Sequence, residues 1–313
     1  MGIQLLNTFL KQQKCDGISE IPLSQLNGKK IVIDTSIYLY RYKQQGALIE
    51  KMFHLCSILR NYNINPIFIF DGKASSHKKD TLLLRSEKRK QAKGNLQYYL
   101  GQLETADTLK RIQINRKIRV LKKQTTKLTI NDIEKTKELL NLYGITWVQA
   151  KGEADELCAA LVRSNIAYAC LSEDTDMFAL GIPRILKYFS LIQHTCILYQ
   201  TDKILHHLEM DLKTFQHLCI ISGTDYNDSI GNIFTFYKLY KEFASKKTSN
   251  FLKWLGGKHI TMQNYYKVLD IVDLYNINSS SILQNYKYIP IHNKKIRMND
   301  LKKFLQPQNF MFC

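Results

Sequence analysis

Residues 151–176 read KGEADELCAALVRSNIAYACLSEDTD. Gly152 precedes the closely spaced acids Glu153 and Asp155, and the pattern predicts a helix from about Glu153 to Ser164. A short apolar run, Ala167–Leu171, then reads as a strand that ends in Ser172-Glu173-Asp174-Thr175-Asp176. The same alternation extends outward. Asn131 is placed to cap a helix through Tyr143, Gly144 to end it, and Ile145–Val148 to form the strand that follows. Nearer the start, Lys30–Ile33 is a β-branched run ending in Asp34, and Ile67–Phe70 after Pro66 ends in Asp71 and Gly72. Between them Leu48, Met52, Leu55 and Leu59 keep the three- and four-residue spacing of a buried helix face. Strand and helix in alternation predict an α/β fold: a central, mostly parallel sheet with helices on both faces. Ligands of such sheets sit beyond the carboxyl ends of the strands.

That rule gathers scattered acids into one candidate site. Asp34, Asp71 and Asp174 each follow the last apolar residues of a predicted strand, so they emerge at one edge of the sheet. Asp176 joins Asp174 if the segment stays extended, because residues two apart then point the same way. Glu153 and Asp155 converge only if they straddle the start of their helix, and Asp225 is a further candidate. Each acid alone is explained as an ordinary turn residue or helix cap; all of them together are not. Carboxylates gathered so closely repel unless cations lie among them.

The rest of the 313-residue chain is strongly basic: 45 Lys and Arg against 27 Asp and Glu give a formal charge of +18 and a pI near 9.5. A metal-dependent enzyme acting on a polyanion reconciles this balance with the acidic site. Seven cysteines, an odd number without close pairing, fit reduced intracellular thiols rather than a disulfide framework. No CxxC or HxxxH pair supports zinc. No apolar run reaches membrane-spanning length, and the first residues lack a signal peptide's pattern. A soluble intracellular protein is expected, with nucleus and cytoplasm both open.

Between the acidic halves, residues 78–127 hold fifteen Lys and Arg against four Asp and Glu, so more than half of the net charge lies in fifty residues. Leu96, Tyr99, Leu100 and Leu103 keep helical spacing behind Lys88, Arg89, Lys90 and Lys93. Helices with a phosphate-binding face over the crevice account for this, and a solvated insertion or a localisation signal is the plainer alternative.

At these residues the chain resembles the flap endonuclease and XPG family of structure-specific 5′ nucleases. The resemblance runs from Met1 to about Tyr226, and less clearly beyond. It rests on Lys151–Leu161 with Ser172–Asp176, then on Ile33-Asp34-Thr35-Ser36, Phe70-Asp71-Gly72-Lys73 and Ser222-Gly223-Thr224-Asp225-Tyr226, all in the family's order. The resemblance implies a PIN-like 5′ nuclease core as one integrated domain. Its parts are an N-terminal nuclease region (1–77), a basic helical gateway (78–130), an internal nuclease region (131–226) and a C-terminal helical DNA-binding region with core closure (227–313). It implies metal ligation by Asp34, Asp71, Glu153, Asp155, Asp174, Asp176 and Asp225, with two Mg²⁺ ions that Mn²⁺ can replace. Two ions about 3.5 to 4 Å apart activate water and stabilise the leaving oxygen, and oxygen-only ligands suit these metals. The family's catalytic lysine and arginine fall on Lys78 and Arg85. Tyr40 matches a tyrosine that stacks a base beside the scissile bond, with core packing beside Tyr38 and Tyr42 as the alternative. Gly2 matches the residue whose freed amino terminus lies near the cleft, and Lys88, Arg89 and Lys93 fall on the DNA-binding gateway.

Two departures from the family stand out. Asp155 occupies a position where much of the family has Glu. The glycine-rich hairpin that binds uncut duplex, often with potassium, is reduced here to Ser229–Phe236 with Gly231 and two aromatics. Altered duplex contacts through Lys238, Lys241, Lys246 and Lys247 are therefore expected, without potassium. Residues Asp300–Phe312 resemble the closing part of the core, and no sliding-clamp motif follows. The implied function is a monomeric endonuclease, with possible 5′-3′ exonuclease action, on DNA with 5′ flaps, nicks or junctions in replication, repair or recombination. The alternatives are an inactive nucleic-acid-binding scaffold of the same fold, or a 5′ exonuclease or junction nuclease.

Overall fold

The computed structural model describes residues 2–73, 78–105, 107–227, 230–246, 250–256, 259–286, 289, 293–308 and 310. Met1, Ser229, Lys247 and Phe312, named above, lie outside the described residues. Helix α1 (Leu6–Gln12) precedes β1 (Ile18–Pro22) and β2 (Lys30–Asp34). Helices α2 (Thr35–Gln44) and α3 (Leu48–Asn61) lead to β3 (Asn65–Phe70), after which α4 (Lys79–Thr105), α5 (Thr108–Gln124) and α6 (Ile130–Tyr143) precede β4 (Thr146–Gln149). Helix α7 (Ala154–Arg163), β5 (Ala169–Leu171), α8 (Asp176–Ala179), β6 (Arg184–Lys187) and β7 (Thr195–Gln200) complete the sheet. The remaining helices are α9 (Thr201–Leu208), α10 (Leu212–Ile221), α11 (Ile233–Ala244), α12 (Phe251–Gly256), α13 (Met262–Tyr275), α14 (Ser279–Gln284) and α15 (Met298–Leu305). No helix among the described residues is long and apolar enough to cross a membrane.

The seven strands form one sheet in the order β1-β7-β6-β5-β2-β3-β4. Strands β6, β5, β2, β3 and β4 run parallel, while β7 is antiparallel to both β6 and β1. The parallel strands are apolar almost throughout because both faces are covered. Alternate side chains feed two cores: Val32, Ile67, Ile69 and Cys170 pack on one side with α1, α7, α10 and α11, whereas Ile31, Ile33, Phe68, Phe70 and Leu171 pack on the other with α2, α3, α6 and α15. Leu48, Met52, Leu55 and Leu59 of α3 are all buried, as their spacing requires. Helix α15 buries Leu301 and Leu305 in the second core.

Register fixes the functional edge. Ile33 lies level with Phe68 of β3 and with Leu171 of β5, so Asp34, Asp71 and the turn after Leu171 leave the sheet together. The order also reverses here, since successive strands step one way from β2 to β3 and β4, and the other way from β5 to β6. A crevice opens at such a reversal.

Four local expectations need correction. Thr129, not Asn131, caps α6: its side chain accepts from the Asp132 N–H while the Asp132 carboxylate accepts from the Thr129 N–H, a reciprocal pair that Asn131 cannot form from inside the first turn. Strand β4 covers Thr146–Gln149 rather than Ile145–Val148, because Ile145 closes the helix end by donating its N–H to the Leu140 carbonyl. The segment after β5 does not stay extended; Thr175 is already helical and Asp176 opens α8. Helix α7 begins one residue later than predicted, with Glu153 as its N-cap residue and Ser164 as its C-cap.

Gly144 ends α6 with φ +70°, and a Cβ there would run into the backbone of Lys294, whose N–H donates to the Gly144 carbonyl. Gly144→Ala therefore meets both left-handed strain and a backbone collision. Chemical denaturation should show a loss of at least about 1–2 kcal/mol; an unchanged midpoint would contradict this account.

Candidate active site

A cavity of 210 Å³ opens at the strand reversal, and Asp34, Asp71, Glu153, Asp155, Asp174 and Asp225 line it together with Lys78, Arg85 and Tyr40. Asp176 lies just behind, in an adjoining narrow cleft with Tyr226 and Tyr275. Each acid is held by what surrounds it. Asp34 accepts from the Ser172 hydroxyl at 2.9 Å. Asp71 accepts from the backbone N–H of Ala154 at 2.9 Å and from the Ser36 hydroxyl. Gly72 fits tightly against Ala150 and Lys151, where any Cβ would strike backbone, and its N–H donates to the Gly152 carbonyl at 2.7 Å. This close approach joins the first acidic loop to the start of α7, placing Asp71 beside Glu153 and Asp155.

Asp174 turns inward because its own N–H donates to the Ser172 hydroxyl, while the Asp176 N–H donates to Asp174 Oδ1 at 3.1 Å. A tight turn thus achieves the convergence of Asp174 and Asp176 that an extended segment was expected to give. Asp176 Oδ2 accepts from the Tyr275 hydroxyl at 2.7 Å and from the Asp225 N–H at 3.2 Å. Its Oδ1, also buried, has no hydrogen-bond partner among the described residues.

Two cations enter from the start of α4. Lys78 Nζ lies 2.5 Å from Glu153 and 3.9 Å from Asp225, over the ring of Tyr226, and Arg85 lies 2.9 Å from Asp225. Burial disfavours the Lys78 ammonium, but the hydrogen bond to Glu153 and nearby negative charge more than offset this and hold its pKa above the usual lysine range. The buried carboxyls behave oppositely. Burial first, then the Asp71 charge, pushes Asp34 up to about 7; burial and Asp174 do the same to Asp176. Burial followed by Asp34 and Asp174 also raises Asp155 well above the ordinary range. Among the described residues no three of these acids already enclose a single point as a cation cage. The donor set nevertheless suits hard divalent cations: it is all oxygen, its members repel one another, and Asp176 Oδ1 lacks a partner.

The other sequence candidates fall into distinct places. Tyr40 is half-buried at the cavity, whereas Tyr38 and Tyr42 are in the core. Gly2, at φ +85°, comes so close that a Cβ would collide with Asp174, Thr175 and Asp176. Lys88 and Lys93 are exposed on α4 and Arg89 is half-buried there, none of them lining the cavity. Gly231 and the exposed Lys238 also lie elsewhere, around α11. The aromatics of that segment point inward: Phe236 is buried and Phe234 packs edge-on against Phe9. Sequence reading assigned no role to Ser36, Ser172 or Tyr226, although all three sit inside the quoted motifs. Tyr275 had no sequence signal at all.

The profile of the XPG N-terminal domain matches residues 1–92, and that of the XPG I-region matches residues 144–225. Flap endonuclease 1 of Glycine max is 31% identical over 266 residues, which cover 78% of this chain and 67% of that protein. The chain belongs to the flap endonuclease and XPG family. A second member, flap endonuclease 1 of Theileria annulata, is 29% identical, with 83% of this chain matched but only 53% of that protein. In fold, the chain is similar to the catalytic core of Rad2 in complex with DNA substrate, with a TM-score of 0.66 at 19% identity, covering 98% and 94% of the two chains. It is also similar to the Holliday junction-resolving enzyme GEN1 in complex with product DNA and Mg²⁺, with a TM-score of 0.63 at 18% identity, covering 98% and 73%.

The raised carboxyls give this XPG-family site a testable pH signature. Folded and metal-free, Asp34 and Asp176 keep protons up to about pH 7, whereas in the unfolded chain an aspartate releases its proton near 3.9. The folded state then binds more protons between roughly pH 4 and 7, so stability falls as pH rises through that window. Thermal melts in chelator should show a lower midpoint at neutral than at mildly acidic pH, and Asp34→Asn should flatten the slope. A midpoint that rises with pH across the window would refute the assignment.

Proposed function

We propose that this chain is a structure-specific 5′ nuclease that cuts DNA flaps at single-strand to duplex junctions, depends on Mg²⁺ or Mn²⁺, and uses two ions. The reading is carried by one observation: six carboxylates line one cavity at the carboxyl edge of a parallel sheet, with two cationic side chains reaching in from a basic helical pair. Asp34, Asp71, Glu153, Asp155, Asp174, Asp176 and Asp225 would hold the cations. When bound, such ions activate water and stabilise charge on the leaving oxygen, giving a 5′-phosphate and a 3′-hydroxyl.

The chain's own side chains do the rest. Lys78 and Arg85 now neutralise Glu153 and Asp225. A phosphodiester in the cavity offers them anionic oxygens, and the freed carboxylates then face the cations. The two basic groups thus exchange partners as substrate enters, and both stand beside the scissile phosphate. Tyr40, at the cavity, offers a ring for the base next to the cut. Exposed Lys88 and Lys93 on α4 give a free 5′ strand a cationic path, with residues 78–130 as the gateway. Duplex beyond the junction is assigned to the α11 region through Lys238, Lys241 and Lys246, the last two lying over the rings of Tyr237 and Trp254.

Purified protein incubated with 5′-labelled double-flap DNA, blunt duplex and four-way junction, each with Mg²⁺ and with chelator, tests this. Metal-dependent release of a fragment cut near the flap base is expected, and tight binding without cleavage in either metal would instead support a scaffold. Asp174→Ala and Arg85→Ala should each slow single-turnover cleavage by at least about 10²–10³-fold, while flap binding stays within a few fold. An equal loss in binding and rate for Arg85→Ala would reduce it to a phosphate anchor.

A further inference from the structure

Lys187 ends β6 and is fully buried, with no accessible surface. It does not line the acidic cavity. The Ser172 N–H donates to the Leu186 carbonyl, so β6 runs alongside β5 up to the turn that carries Asp174 and Asp176. From there the Lys187 ammonium donates to the carbonyl oxygen of Glu173 at 2.7 Å and to that of Asp174 at 3.2 Å. The next residue grips the same turn: the Tyr188 N–H donates to the Glu173 carboxylate at 2.9 Å, and Arg41 approaches that carboxylate at 3.3 Å. Tyr188 adopts a left-handed φ of +56°, uncommon for a non-glycine residue.

These contacts orient two successive peptide units. Their carbonyls point back into the protein toward Lys187, while the Asp174 N–H, the Asp176 N–H and the Asp174 carboxylate are engaged among themselves and with Ser172. An isolated buried ammonium is costly, and an apolar side chain of the same length would fill the space without that cost. It would, however, leave two buried carbonyls without this donor and release the turn. We infer that Lys187 is a positioning residue, which holds the Glu173–Asp174 backbone from behind so that the carboxylates of Asp174 and Asp176 are pre-arranged to receive divalent cations. The inference rests on the nuclease reading of those carboxylates. Because the grip acts through N–H donation to backbone oxygens, it requires a donor at this position and does not depend on the residue gaining or losing a proton.

The test uses the full chain and reads metal binding without DNA, by the electron paramagnetic resonance signal of free Mn²⁺, alongside flap cleavage. Lys187→Met removes the donors at similar volume and Lys187→Arg restores them. Lys187→Met is expected to weaken Mn²⁺ binding about tenfold, the lower end of the loss for groups that orient metal ligands. It should lower kcat, with part of the rate recovered at high Mn²⁺, and leave KM for flap DNA unchanged. Lys187→Arg should return Mn²⁺ affinity to within about threefold of wild type. If the methionine variant does not melt cooperatively, Lys187→Gln, which keeps an uncharged donor, takes its place and should fall between the two. Wild-type Mn²⁺ affinity in a folded methionine variant would overturn the inference while leaving the nuclease reading intact. So would an arginine variant as weak as the methionine one. A wild-type protein that neither binds Mn²⁺ nor cuts flaps would overturn the nuclease reading, and this inference with it.

Discussion

Mutual repulsion among carboxylates is the constraint around which this structure is arranged. Asp34, Asp174 and Asp176 are nearly inaccessible to solvent and stand among further acids, where water cannot screen them. Three kinds of support make the arrangement tolerable. Hydrogen-bond donors reach individual oxygens, from Ser36, Ser172, Tyr226, Tyr275 and the Ala154 N–H. Cationic side chains approach from the front through Lys78 and Arg85, while Lys187 holds the turn's backbone carbonyls from behind. Burial and mutual repulsion also raise the pKa values of Asp34, Asp155 and Asp176, which favours their uptake of protons. In a chain of net charge +18, the acids form a local exception that the surrounding cations are well placed to stabilise.

Such a cluster keeps its shape only on a stiff base. The parallel strands provide it, being packed on both faces by separate apolar cores and held in a register that brings three acidic loops to one edge. Interiors packed to this degree transmit displacement rather than absorb it. Substitutions deep in β2 or β5 thus act on the site through geometry, although they never touch it.

Much of this was legible in the sequence. Strands β2 and β3 announce themselves as short apolar runs that stop at an acid, and the rule about strand ends then turned isolated aspartates into a site. Six of the seven named carboxylates share one cavity and Asp176 adjoins it. What escaped notice did so for physical reasons. The cap of α6 depends on a reciprocal pair, Thr129 with Asp132, and a single residue's propensity pointed to Asn131 instead. Strands β1, β6 and β7 were not anticipated, and the antiparallel edge they form has no signature as plain as an apolar run ending in Asp. Tyr275 acts across 99 residues, and Lys187 acts from the end of a strand that was not anticipated, so the partners of both are fixed only by tertiary packing. The basic run on α4 was legible as charge, but which members face the cavity followed only from the helix's placement: Arg85 does, and Lys88 and Lys93 do not.

The hydroxyl of Tyr275 closes the acidic cleft at Asp176, 99 residues earlier in the chain, and Gly2 presses against Asp174 from the other end of the sequence. The cleft is therefore bounded by residues made far apart in time. Contacts of such long range form late, because the intervening loops must close before any of them can stabilise the fold. During translation the first acidic loops are exposed well before the tyrosine that completes their surroundings has been made. A chain interrupted before α13 carries all seven acids without the tyrosine that caps Asp176, so order of synthesis alone delays the mature cleft until α13 has been made.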